Sequence, residues 1–82
     1  MNKQTKPTEQ YIQENREAIG KEIRAFREKK VFSLDELSEI MEVNRSTISK
    51  VETGKFAITI DYLVKFAWYL DFDISVLEKK GN

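Results

Sequence analysis

Residues 33–54 read Ser-Leu-Asp-Glu-Leu-Ser-Glu-Ile-Met-Glu-Val-Asn-Arg-Ser-Thr-Ile-Ser-Lys-Val-Glu-Thr-Gly. Ser33-Leu34-Asp35-Glu36 is a capping box: the serine hydroxyl accepts the Glu36 N–H, and the glutamate side chain reaches back to the serine N–H. Asp35 and Glu36 also lie at the positive end of the helix dipole. Leu37 and Met41 supply a buried side, and the helix is expected to end around Met41-Glu42. Asn44 suits the N-cap of a second short helix that turns Ile48 and Val51 inward and stops at Gly54. The segment therefore predicts two short helices joined by a turn of about three residues. Leu37, Met41, Val43, Ile48 and Val51 are apolar where the helices must touch, and Ser38 is small where they cross. Asn44-Arg45-Ser46-Thr47 opens the second helix with short polar groups and one arginine.

On the N-terminal side, Ile19, Ile23 and Phe26 form an i, i+4, i+7 stripe on a helix running to about Lys30. Tyr11 and Ile12 place its start early, whereas Asn15 offers a later cap. Residues 1–8 are polar, hold the only proline and read as a flexible tail before a single domain over 9–79. Lys3 and Lys6 are expected to be idle parts of that tail. On the C-terminal side, Thr59 caps a helix from about Ile60 to Leu70, and Asp73 caps a short fifth one. The expectation is an all-α domain of five helices.

The chain has 82 residues, 14 basic and 14 acidic, with no histidine and no cysteine. Disulfides and thiol metal sites are absent for want of cysteine. The commonest general base and metal ligand is absent for want of histidine. No constellation supports an enzyme, a metal or a cofactor. Asp35, Glu36, Glu39 and Glu42 read as a solvated helix face, not as a cation site. No apolar run reaches the ~18 residues of a membrane span. The first residues lack the apolar stretch of a signal peptide, so the expected location is cytoplasmic.

A net charge of zero argues against a nucleic-acid partner until it is resolved by segment. Residues 21–30 sum to +3 and residues 44–56 to +2, while residues 33–43 sum to −4 and residues 57–78 to −3. The two short helices thus carry opposite charge, the second being basic.

The helix-turn-helix layout of residues 34–53, with Ile19-Gly20-Lys21-Glu22-Ile23-Arg24-Ala25-Phe26-Arg27 before it and Leu63-Val64-Lys65-Phe66-Ala67 after it, resembles the lambda-repressor-like helix-turn-helix domain of XRE type. The resemblance covers about residues 15–78. It implies a compact five-helix domain, with the helix-turn-helix at helices 2 and 3, whose helix 45–53 enters the major groove of double-stranded DNA. It also implies that Arg45, Ser46 and Lys50 read bases, with Thr47 and Ser49 close by. Arginine suits that role because it bonds guanine O6 and N7 together. Ser33, Thr53 and Lys55 match positions that face phosphates, and Arg27 and Glu52 match an ion pair that positions the reading helix.

The sequence departs from the family pattern at several places. Leu34 stands where a glutamine contacts the DNA backbone. Val31, Glu42 and Asp71 stand where glycine is frequent. At β-branched Val31 a positive φ is costly, so a different helix end is expected there. Phe56-Ala57-Ile58 replaces a proline-containing loop and must be anchored by burial.

Helix 60–70 is apolar nearly all round, which requires cover on two sides. One side is the core. The other is expected to meet either a folded-back N-terminal segment (Tyr11, Ile12) or a second subunit. Trp68, with Phe72, Ile74 and Val76, is assigned to a homodimer interface, because the family is usually polar at Trp68. The resulting expectation is a small homodimeric transcriptional regulator of repressor or controller type reading a palindromic operator. The alternative is an interaction module or antitoxin-like partner protein that keeps the fold with weak or no DNA binding.

Overall fold

The computed structural model describes residues 5–79. Four helices follow one another: α1 (Glu9–Lys29), α2 (Leu34–Met41), α3 (Arg45–Glu52) and α4 (Ile60–Leu70). Among the described residues there is no strand.

Each helix starts where a short polar side chain stands. Thr8 caps α1, its hydroxyl accepting the Tyr11 N–H at 3.0 Å. The early start therefore forms, and Asn15 lies inside α1 with its amide donating to the Tyr11 carbonyl at 2.9 Å. At α2 the capping box closes in both directions, at 3.0 Å from the Glu36 N–H and 2.8 Å from the Ser33 N–H. Asn44 occupies the N-cap of α3 without a side-chain capping bond. Thr59 caps α4, accepting the Tyr62 N–H at 3.1 Å.

The helix ends share one device. Val31, Glu42, Gly54 and Asp71 all have left-handed backbone, with φ of 62°, 56°, 77° and 59°. After each, the next N–H closes back on the helix: Phe32 to Arg27, Val43 to Ser38, Lys55 to Lys50 and Phe72 to Ala67. This is the Schellman arrangement, which normally recruits glycine. The expected departure at Val31 does not occur. Phe32, Val43 and Phe72 explain why, because each packs against the core immediately after its left-handed residue. Burial of the following side chain outweighs the steric cost at Val31, Glu42 and Asp71.

The core consists of Ile23, Leu37, Met41, Ile48, Val51, Phe66 and Leu70. α3 packs on both α1 and α2, and α4 packs on α1. The approach of α1 to α3 is close at Gly20: a Cβ there would stand 2.4 Å from the Val51 carbonyl oxygen and 2.6 Å from that of Glu52. Leu34 is half-buried against the core. The loop after α3 is held by Phe56 and Ile58, with Phe56 edge-on to Tyr62 at 5.7 Å.

Two expectations are corrected. No fifth helix forms after Asp73; residues 72–79 are non-helical. β-branched Ile74 and Val76 resist helix, and a single turn without buried contacts does not repay its nucleation. Val76 is 96% exposed and Leu77 is 85% exposed, so neither supplies such contacts. Instead the segment runs back along α1, from Phe72 stacked on Phe26 (4.7 Å between centroids) to the Lys79 ammonium 5.6 Å from the Tyr11 ring centre. Fifteen helical residues span about 22 Å, and seven residues cover about 23 Å when fully extended. The strap is therefore extended.

The N-terminal segment likewise does not fold over α4. Tyr11 and Ile12 belong to α1 and, with Phe56, Ala57 and Ile58, border an open groove of about 410 Å³. Of the two tail lysines, Lys3 lies outside the described residues, and Lys6 precedes α1.

Candidate nucleic-acid interface

α3 divides into two faces. Ile48, Val51 and Glu52 are buried toward α1 and α2. Arg45, Ser46, Ser49, Lys50 and Thr53 fall within about 140° of arc on the other side, at 3.6 residues per turn. Arg45, Ser46, Lys50 and Thr53 are exposed, and Ser49 is half-buried. Thr47 lies at the boundary and is half-buried, away from the centre of the polar face.

Arg45 is held from α2: its Nη1 lies 3.5 Å from Asp35 Oδ1, with both side chains largely in water. Nothing in the sequence pattern signals this pair, because it links the first turns of two helices across the bend. Among the described residues Lys50 and Lys55 form no salt bridge, and both are exposed.

The three residues matched to phosphate positions differ in what they have free. The Ser33 N–H donates to Glu36 Oε1, and its hydroxyl oxygen accepts from the Glu36 N–H. The hydroxyl proton of Ser33 remains available to a donor role. Thr53 gives its hydroxyl proton to its own helix, at 2.9 Å from the Ser49 carbonyl. Lys55, exposed just past Gly54, has its ammonium free of protein partners among the described residues.

Beneath this face, Arg27 and Glu52 lock α1 to the end of α3. Arg27 Nε donates to Glu52 Oε2 at 2.7 Å and Nη2 donates to Oε1 at 3.1 Å. Nη1 donates to the Phe32 carbonyl at 2.7 Å, a partner with no sequence signature. The Glu52 hydrogen bonds hold the guanidinium above its ordinary pKa, against the opposing effect of burial. Both residues are buried, and the fork-to-fork geometry satisfies the two charges together.

With this geometry in place, comparison with known families is decisive. A family model described as Helix-turn-helix matches residues 23–77, more than half of the chain. The chain belongs to the XRE-type helix-turn-helix family. This is a family of DNA-binding transcription regulators. No curated protein matches the chain significantly. In this helix-turn-helix protein no helix among the described residues is long and apolar enough to cross a membrane.

The residues assigned to self-association lie on another side. Trp68 is 79% exposed and Val76 almost fully so, Ile74 is partly exposed, and Phe72 is half-buried against Phe26. Ile60 and Val64 continue the exposed stripe of Trp68 along α4.

Proposed function

We propose that this helix-turn-helix protein binds double-stranded DNA sequence-specifically, as a small homodimeric transcriptional regulator of repressor or controller type located in the cytoplasm. The observation that carries the reading is the exposed polar face of α3, opposite its buried Ile48 and Val51. In this reading Arg45, Ser46 and Lys50 meet base edges, with Ser49 and Thr47 beside them. Lys55 meets phosphate, assisted by the Ser33 hydroxyl and by Thr53 after rotation of its side chain. The Arg27–Glu52 pair sets the angle of α3 and touches no base.

Dimer formation is supported by the apolar stripe that Ile60, Val64 and Trp68 expose, with Ile74 of the strap on the same groove as Val64 and Trp68, and by the exposure of Val76 and Leu77. Clustered exposed apolar side chains mark interaction sites on soluble proteins. The requirement for a standard interface is about 800 Å² per partner. A two-fold dimer sets its reading helices about 34–36 Å apart and selects a palindromic operator.

Selection from a random duplex pool tests the whole reading. A palindromic motif is expected, and Arg45→Ala should relax one position in each half-site. Absence of any enrichment, with no binding even at low salt, would overturn this reading and favour the alternative, an interaction module that keeps the fold.

A further inference from the structure

α3 ends differently from the other three helices. At the ends of α1, α2 and α4 the residue after the left-handed position is Phe32, Val43 or Phe72, and its burial anchors the turn. The corresponding residue of α3 is Lys55, which is exposed. A charged, solvated side chain cannot anchor a turn by burial; Gly54 takes the left-handed backbone without steric cost, and the direction of the peptide that follows is left to another contact.

α1 supplies it, from residues that precede the family match beginning at Ile23. Gln13 Nε2 donates to the Gly54 carbonyl at 3.0 Å and lies 3.1 Å from Glu17 Oε2. Glu17 packs directly on Gly54: a Cβ built there would stand 2.7 Å from Glu17 Cγ and 2.9 Å from its Cα. Gln13, Glu17 and Gly20 follow at i, i+4 and i+7, so one face of α1 lies along the end of α3. The Gly54 carbonyl points into that face, which orients the peptide leading to Lys55.

We propose that Gln13 is a positioning residue for DNA binding: its amide replaces the missing apolar anchor and leaves Lys55 free for a phosphate. The inference rests on the DNA-binding reading above. Gln13 acts through Lys55 and touches no nucleotide itself.

The test is a double-mutant cycle of Gln13→Met and Lys55→Ala, read by anisotropy on one selected duplex across a salt series. Methionine keeps the length of the side chain and removes the donor. Gln13→Met is expected to weaken binding several-fold, lower the log–log salt slope by up to about 0.9, the value of one phosphate, and leave the selected motif unchanged. In the Lys55→Ala background it should add less than twofold. Amide NMR shifts in the unbound variant should change at Thr53, Gly54 and Lys55 and not across the core. Equal weakening with and without Lys55, or no change in salt slope, would overturn the positioning role. A parent protein without salt-dependent binding would instead overturn the DNA-binding reading on which it rests.

Discussion

The Arg27 guanidinium and the Glu52 carboxylate meet through two hydrogen bonds, at 2.7 and 3.1 Å, and both are buried between α1 and α3. Removing one member leaves the other charged and without its partner in a dehydrated site. Glu52→Ala is expected to cost about 3–5 kcal/mol, read as a lower urea midpoint. Replacing both residues by apolar ones of similar volume should cost much less, since neither charge is then stranded. If the single and double variants unfold alike, the pair is not the source of the loss.

Gly20 permits the α1–α3 contact that aligns this pair. Alanine favours helix by about 1 kcal/mol over glycine, so Gly20→Ala would stabilise an isolated α1. Here its methyl group meets the Val51 carbonyl oxygen at 2.4 Å, and backbone must move. A net loss of about 1–3 kcal/mol is expected, as for overpacked cores. A variant at least as stable as the parent would show that the two helices separate freely.

Val31 is the opposite case. It is 83% exposed and held at φ 62° only because Phe32 must reach the core. Val31→Gly removes a left-handed penalty of about 1–2 kcal/mol and adds chain entropy to the unfolded state. The balance should raise the melting temperature by a few degrees, at about 4–8 °C per kcal/mol for a domain of this size. An unchanged or lower transition would contradict the strain argument.

If Arg45 meets bases as proposed, Asp35 competes with DNA for it, since the two side chains lie 3.5 Å apart. The pair is solvated, so its worth is about 0.2–1 kcal/mol. Asp35→Asn is expected to tighten binding a few-fold across all sequences at low salt, with the effect fading as salt rises. If the variant instead loses sequence preference at unchanged affinity, Asp35 orients Arg45 and does not restrain it.

Trp68 offers a test of self-association that leaves the fold intact, because its side chain lies mostly in water. Trp68→Glu should remain helical by circular dichroism while light scattering reports a monomer through high micromolar concentration. A parent chain that is itself monomeric over that range would exclude the dimer.

Residues 33–54 alone determined the helix-turn-helix, because capping and apolar spacing are local, and the starts of α2, α3 and α4 fall where their caps predict. The same local rules placed a fifth helix after Asp73 and a different backbone at Val31, and both placements failed for one reason. Where the residue at a helix end is not glycine, the outcome is decided by whether the next side chain can be buried, and only tertiary packing determines that. Phe32 finds the core and pulls Val31 into a left-handed turn, whereas Val76 and Leu77 find nothing and the chain stays extended. The site divides in the same way. The polar face of α3 follows from sequence periodicity, while the Asp35 tether on Arg45 and the Gln13 hold on Gly54 join residues 10 and 41 positions apart. No repeat spacing encodes such contacts; they exist because packed helices bring distant side chains within hydrogen-bonding reach.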